Sequence, residues 1–274
     1  MDIPAFPRRV YLYEEPSAPT LDLSVVAAHI TKVCGIQTSV RGPFLLHHVR
    51  GDLAAVAREL AAVRIVDVAH PLRPADPPPQ LVHFERRQLE SPERRASGVL
   101  YDGFGVQRIF RENLQSDERT LSFVHVAFTS RLLGTFDEGD RRYHARSVVL
   151  GCPSIVSESG LVEGPAKPRA FYAAKRGLRI DSADARYESL KGNFAGQFLD
   201  FDDARLTQVA KGYALQAIFY HVTGEPFCED EDCVLFNAHW QEQMLQAHVE
   251  SGLLCARHLA VAESLKDGRR SRGR

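Results

Sequence analysis

Hydrophobic and polar positions alternate along the chain in a way that predicts a sheet covered by helices. Short apolar or β-branched runs are separated by longer segments in which apolar residues recur every three or four positions. This order is typical of α/β proteins, so we expect a mixed, twisted sheet with packed helices. The predicted strands are 10–13, 36–40, 64–68, 81–84, 121–129, 147–150 and 155–156, and the predicted helices are 21–33, 53–63, 105–114, 171–178, 184–194, 204–222, 238–249 and 253–265.

The longest helical pattern covers residues 204–222 and organises the C-terminal third of the chain. Apolar residues recur at helical spacing from Leu206 to Tyr220, and Gly224 is placed to end the helix. We expect one α/β domain over residues 1–266, with the sheet and most helices in 1–200 and the long helix and a metal-binding segment in 201–266. The basic, glycine-rich tail 267–274 is expected to be disordered.

Three cysteines and one histidine follow the long helix in two close pairs. Cys228 and Cys233 are separated by four acidic residues, whereas Cys255 and His258 are three positions apart and share one face of a predicted helix. Three thiolates and one imidazole are the donor set of a closed tetrahedral zinc site. The four carboxylates would oppose thiolate formation unless a dication offset their charge. The pattern therefore favours one structural zinc ion over the simpler alternative of buried cysteines and a surface histidine.

Aligned on Cys228, this stretch resembles the archaemetzincins, zinc metallopeptidase-like proteins with an HExxHxxGxxHC helix followed by C-x4-C and C-x-x-C. His221 and Gly224 match the second histidine and the glycine of that helix, and Cys255 and His258 match the closing pair. The phrases GTFDEGDRRYHAR and NAHWQE are similar to those of an uncharacterised prokaryotic family, metallopeptidase-like at most. The resemblance implies a metzincin-like fold in which a strand near residues 147–150 forms the rim of a cleft over the long helix.

The chain departs from the archaemetzincin helix at three of its positions. Ala217 stands at the place of the first zinc histidine, Ile218 at that of the general-base glutamate, and Phe227 at that of the third histidine. Zinc hydrolysis needs three protein ligands, an open coordination position and usually a base for the water. The resemblance therefore implies a retained structural zinc site and a lost catalytic one.

Charged residues crowd the stretch 131–146 and offer candidate binding residues. Glu138, Arg142, His144 and Arg146 lie around Gly139. One interpretation is a solvated hairpin tip that carries surface ion pairs. The other is a charged rim beside a cleft, where His144 and Glu138 contact a ligand and Arg142 and Arg146 bind it.

Composition and charge limit the classes of partner and the cellular location that we expect. The 274 residues are 44% hydrophobic and 25% charged, as is usual for globular proteins, and the net charge of −1 gives no reason to expect nucleic acid or an anionic membrane. No apolar run reaches transmembrane length, and the first residues lack the core of a signal peptide. The odd number of cysteines, five, suits a reducing compartment, so a cytoplasmic location is expected.

Three functions remain open from the sequence. The favoured one is a zinc-binding, archaemetzincin-like protein that has lost peptidase activity and binds a peptide, a protein or a small molecule in the old cleft. A rewired metallohydrolase or peptidase-like enzyme would use His221 and His144, with Glu138 as a further candidate. A zinc-stabilised structural or interaction protein is the third. No phosphate-binding loop or nucleophile elbow occurs in the sequence.

Overall fold

A five-stranded sheet forms the centre of the structure, a computed structural model that describes residues 6–73, 75–179 and 184–270. Four of its strands run parallel, and the edge strand β8 is antiparallel to its neighbour. From one edge to the other the strands are β2 (Gln37–Arg41), β1 (Arg9–Tyr13), β5 (Phe123–Thr129), β9 (Ser154–Ser157) and β8 (Val148–Val149).

A second, four-stranded sheet carries the hairpin that contains the charged stretch. Its strands, in spatial order, are β3 (Arg64–Ile65), β4 (Leu100–Asp102), β6 (Leu132–Asp137) and β7 (Arg142–Arg146). Strands β6 and β7 are antiparallel, with Asp137 opposite Arg142 near the turn and Leu133 opposite Arg146 at the far end. The two mixed sheets and their helices confirm the predicted α/β fold.

Eleven α-helices are found in the described residues, and none of them is long and apolar enough to cross a membrane. A π-helical turn, Gln246–Ser251, continues α10. The helices are α1 (Leu23–Cys34), α2 (Phe44–His48), α3 (Leu53–Ala62), α4 (Pro79–Glu90), α5 (Gly103–Asn113), α6 (Glu158–Glu163), α7 (Arg169–Leu178), α8 (Arg186–Gly192), α9 (Leu206–Thr223), α10 (Gln241–Leu245) and α11 (Ala256–Arg270).

One local prediction is wrong for an identifiable reason. The expected strand 81–84 lies inside α4, where the buried carboxylate of Glu85 accepts a 2.7 Å hydrogen bond from the hydroxyl of Tyr101. A charged residue at a buried position interrupts the spacing of apolar residues by which a helix is recognised in the sequence. Helix α11 ends at Arg270, and 271–274 lie outside the described residues, so the disordered tail 267–274 stays a prediction. One domain over residues 1–266 stays a prediction.

Strand β1 is buried on both faces, which accounts for its nearly continuous apolar run. Val10 and Leu12 point to the side covered by α1, α9 and α11. Tyr11 and Tyr13 point to the opposite side, which α2, α3 and α5 cover. Successive residues of a strand face opposite sides, so the central sheet separates two hydrophobic cores.

Helix α9 is buried around most of its circumference and ends at Gly224, whose φ of 77° is the left-handed conformation that favours glycine. The ring of His248, from the π-helical turn, packs directly on the backbone of Gly212. The same ring stacks on Tyr213, with centroids 4.9 Å apart and an interplanar angle of 9°. A residue without a side chain at position 212 therefore permits the close contact between α9 and the C-terminal segment.

Replacing Gly212 with alanine should destabilise the fold by about 2 kcal/mol, because the added methyl group would overlap the His248 ring and overpacking typically costs 1–3 kcal/mol. Gly177→Ala is the matched control, since it also lies in a helix but a methyl group there meets no atom within 4 Å. The control should be neutral or stabilising by up to about 1 kcal/mol. Urea unfolding of both variants measures the difference, and equal stabilities would contradict the packing argument.

Candidate metal centre and ligand cleft

The four donor atoms of Cys228, Cys233, Cys255 and His258 come together after α9, all within 4.8 Å of one another. The sulfurs of Cys228 and Cys255 are 3.9 Å apart, and Nδ1 of His258 lies 3.6 Å from the Cys233 sulfur and 3.1 Å from the Cys255 sulfur. Zinc–ligand bonds of normal length in a tetrahedron require about 3.8 Å between two sulfurs and about 3.6 Å between sulfur and nitrogen. The donor set and its spacing therefore fit a four-coordinate zinc ion.

Short backbone contacts, rather than regular strands, bring the two pairs of donors together. The amide of Cys228 donates to the carbonyl of Leu235 at 2.9 Å, which closes the loop between the first two cysteines. The amide of Val234 donates to the carbonyl of Leu253 at 2.7 Å, which brings the loop beside the start of α11. Cys255 immediately precedes α11 and His258 lies in its first turn.

The pKa values of two thiols in the cluster, those of Cys233 and Cys255, are shifted in opposite directions. Burial raises the pKa of Cys233 to about 12. Partial burial also acts to raise the pKa of Cys255, but hydrogen bonds from the backbone amide of His258 and from the neighbouring thiols outweigh it and lower this pKa. Amide groups at a helix N-terminus stabilise thiolates in this way. Burial lowers the pKa of His258, so its imidazole is neutral and able to act as a ligand.

The four acidic residues between Cys228 and Cys233 are exposed to solvent. Two of them shape the loop: the carboxylate of Asp230 accepts from the amide of Asp232 at 3.1 Å, and the Asp232 carboxylate accepts from the side-chain amide of Gln246 at 3.0 Å. Their charges raise the local negative potential without contributing a donor to the cluster. They therefore favour a cation at this position, as the sequence suggested.

A cleft of about 270 Å³ lies beside the cluster. One wall is the rim formed by residues 144–148 of β7 and β8, and the floor includes Tyr213 and Gln216 of α9. The opposite wall comes from residues 164–165, Phe227 and residues 237–239, so the segment that contains the cysteines also bounds the cleft. Its volume lies just below that of sites for drug-sized ligands, which suits one or two residues of a peptide.

Three hydrogen bonds fix this wall against the rest of the fold. The side-chain nitrogen of Gln216 donates to the carbonyl of Phe236 at 3.3 Å. The backbone amide of Ala166 donates to the carbonyl of His239 at 2.8 Å, and the amide of Gln241 donates to the carbonyl of Ala166 at 2.8 Å. These contacts also explain why α10 begins at Gln241 rather than at the predicted residue 238.

The structure divides the predicted rim residues into two groups. His144 and Arg146 line the cleft, whereas Glu138 and Arg142 are exposed at or beside the hairpin turn. His144 Nε2 also lies 2.9 Å from the carboxylate of Asp140, so part of the charged run forms contacts at the surface of the hairpin. Each interpretation of the stretch 131–146 therefore applies to part of it.

His221 lies apart from the cleft lining. Its Nε2 is 2.9 Å from the carbonyl of Leu121, to which it donates a hydrogen bond. Within residues 6–73, 75–179 and 184–270, neither His221 nor His144 belongs to a group of three potential metal ligands. The structure therefore does not place His221 in the cleft with His144, as the alternative enzyme would require.

Sequence reasoning did not single out Gln216 or Asn237 as cleft residues. Gln216 is only 1% exposed, and it interrupts the buried, apolar stretch 212–219 of α9. A polar residue inside an apolar helical pattern is the signal that could have identified it. Asn237 gave no comparable signal, because it lies in an irregular segment whose position depends on the fold.

A family model described as "Probable metallopeptidase family (DUF6775)" matches residues 6–265. The chain belongs to this family. The matched region contains both sheets, the cleft and the cysteine–histidine cluster, so it confirms the metallopeptidase-like part of the sequence prediction. Comparison with curated proteins and with solved structures found no match.

This family member has a second group of potential ligands, on the face of the central sheet opposite α9. Donor atoms of His48, Glu118 and His125 lie within 4.8 Å of one another. The Tyr13 hydroxyl is 2.8 Å from His48 Nε2 and 2.8 Å from His125 Nδ1, and Arg41 binds both carboxylate oxygens of Glu118 at 2.7 Å. Because Arg41 already neutralises the carboxylate, the group forms a hydrogen-bond network rather than a metal centre, although Nδ1 of His48 is buried without a partner within the described residues.

The proton positions in this network follow from its outer partners. His125 Nε2 lies 3.2 Å from the backbone carbonyl of Glu118 and must carry a proton to donate to it. His125 Nδ1 is then an acceptor, so the Tyr13 hydroxyl donates to it and accepts from His48 and Arg41. Burial lowers the pKa of both histidines to about 4, which keeps them neutral at physiological pH.

Acidification should destabilise the fold through these two histidines. In the unfolded chain they bind protons below pH about 6.5, but in the folded chain only near pH 4, so stability falls as the pH drops between those values. Each should contribute on the order of 1 kcal/mol per pH unit. His48→Asn should flatten the pH dependence of urea unfolding, because it removes one of the two groups that take up protons on unfolding. Equal slopes in wild type and His48→Asn would contradict the assignment.

Proposed function

We propose that this protein is a zinc-stabilised, archaemetzincin-like member of the metallopeptidase family that binds a peptide-like ligand in the cleft and does not hydrolyse it with zinc. The observation that carries the proposal is the closed cluster of Cys228, Cys233, Cys255 and His258. Four protein ligands leave a tetrahedral ion no open position for a substrate or a reactive water. When bound, zinc would supply folding energy to the C-terminal segment.

The environment of α9 supports the absence of a second, catalytic zinc ion. Ala217 and Ile218, which align with a zinc histidine and the general base, have no solvent exposure. Ile218 is two residues, about 200°, around the helix from the cleft-lining Gln216, so it faces the core. His221 is bonded to the carbonyl of Leu121, and Phe227 places a phenyl ring at the cleft.

One segment of the chain contains two of the proposed zinc ligands and also forms a wall of the cleft. Cys228 follows the cleft residue Phe227, and Phe236, whose carbonyl holds Gln216, lies three residues after Cys233. Zinc would therefore fix the irregular segment that forms one wall of the cleft. Its contribution to function is the positioning of that wall, while binding is left to the residues that line the cleft.

The alternatives receive less support from the structure. An enzyme that pairs His221 with His144 would need side chains that lie in different places. For an interaction protein, Trp240 would be a natural contact residue, but it is only partly exposed and its ring lies 5.3 Å from the guanidinium carbon of Arg169. Part of the tryptophan surface is therefore already in contact with this chain's own arginine.

Replacing Cys228 or Cys255 with serine should release the metal, because serine does not substitute for a thiolate ligand of zinc. Structural zinc contributes on the order of 10 kcal/mol in small domains, so the melting temperature should fall by at least about 10 °C. Cys152→Ser is the control, since Cys152 lies outside the cluster, and it should retain the metal. Zinc content and thermal unfolding test this, and stoichiometric zinc in both cluster variants would refute the site.

Purified wild-type protein should bind about one zinc ion per chain, even after incubation with excess zinc. It should show no chelator-sensitive cleavage of a mixed peptide library, because α9 provides neither three ligands nor a base. Metal analysis and mass spectrometry of the library measure the two outcomes. Two tightly bound zinc ions, or cleavage abolished by a chelator, would overturn the proposal.

A further inference from the structure

We propose that the cleft recognises the carboxyl-terminal residue of a peptide through its free carboxylate; this inference rests on the proposed function. The charge of the lining gives the first reason. Of the described residues that line the cleft, one is an arginine, two are histidines and none is acidic. Arginine is always protonated in proteins, so Arg146 gives the lining one permanent positive charge that favours an anion. The carboxylates of Asp137 and Asp140 interact with Arg146 and His144, respectively, from outside the lining.

The position of Arg146 gives the second reason. Its Nε donates a 2.7 Å hydrogen bond to the hydroxyl of Thr135, on the neighbouring strand β6. In the part of the chain that the structure describes, its two terminal amino groups form no hydrogen bond and no ion pair. The guanidinium is thus held at one side and presents the pair of N–H groups that binds a carboxylate in bidentate fashion.

Gln216 supplies a partner for the peptide group next to that carboxylate. Its side-chain nitrogen faces the carbonyl of Phe236, which can only accept, so the oxygen must point the other way. That oxygen is buried and has no hydrogen-bond partner within the described residues. A buried acceptor without a partner costs about 1–3 kcal/mol, and a backbone N–H from the ligand would remove this cost.

The apolar part of the lining indicates the side chain of the terminal residue. Phe227 is 38% exposed at the cleft, and Tyr213, Val148 and Pro165 also line it. A carboxylate, an adjacent N–H and an apolar side chain occur together at the C-terminus of a peptide that ends in a residue such as leucine. The cleft volume of about 270 Å³ accommodates such a residue without the rest of the peptide.

The inference is tested with two pools of acetylated tripeptides that contain all side chains, one with free C-terminal carboxylates and one with C-terminal amides. Zinc-loaded protein should retain the carboxylate pool at least about tenfold better than the amide pool, because the charge-assisted pair exists only with the carboxylate. Retained peptides should be enriched in apolar C-terminal residues. Arg146→Gln should lose about tenfold in retention, whereas Arg141→Gln, a control of equal charge at the exposed hairpin turn, should not.

Circular dichroism and zinc content establish that each variant is folded. Equal retention of the two pools, no retention of either, or unchanged binding by a folded Arg146→Gln variant would overturn the inference. Retention of the amide pool alone would leave the cleft as a peptide site and refute only its preference for carboxylate. Binding of inorganic phosphate in place of the carboxylate pool would assign Arg146 to a different anion. Loss of the expected zinc content would instead refute the proposed function.

Discussion

The return of the chain onto α9 after Gly224 is the constraint on which the cluster and the cleft both depend. The helix is buried around most of its circumference, so the segment that follows it must pack against helix, sheet and α11 at once. Gly224 turns the chain, and the carbonyl of Phe236 then accepts a hydrogen bond from Gln216 of the helix. This closure brings the first cysteine pair to the second pair and places residues 237–239 opposite the rim formed by β7 and β8.

The segment between α9 and α10 has little regular structure with which to hold that position. Its residues form isolated bridges, Cys228 with Phe236 and Cys233 with Leu253, instead of a strand ladder. The acidities of the thiols also differ, since burial opposes ionisation of Cys233 and the start of α11 favours it for Cys255. A dication would ionise both thiols and join the two ends of the segment, which explains why such a loop would need a metal to be well ordered.

Features that depend on residues close together in the sequence could be predicted. Features that bring distant stretches of the chain together could not. The central strands were identified because they are apolar on both faces, and the cysteine pairs because their ligands are close in sequence. Helix α4 was missed because Glu85, Tyr101 and Arg131 satisfy one another in the core, and such a polar network leaves no apolar period. The cleft could not be derived, since its lining comes from five separate stretches of chain.

Arg146 shows how the fold assigns different roles to similar residues. Arg41 and Arg95, which are also partly buried, each bind a carboxylate of the protein, as most buried charges do. Arg146 has Thr135 on one side and the cleft on the other. Asp137 is near enough to interact with its charge, but no carboxylate of the described residues forms a direct ion pair with it. Its charge therefore remains available to a ligand. Gln216 lines the same cleft, and its buried side-chain oxygen has no hydrogen-bond partner within the described residues. The fold therefore leaves an anion-binding group and an acceptor for an N–H group at this cleft.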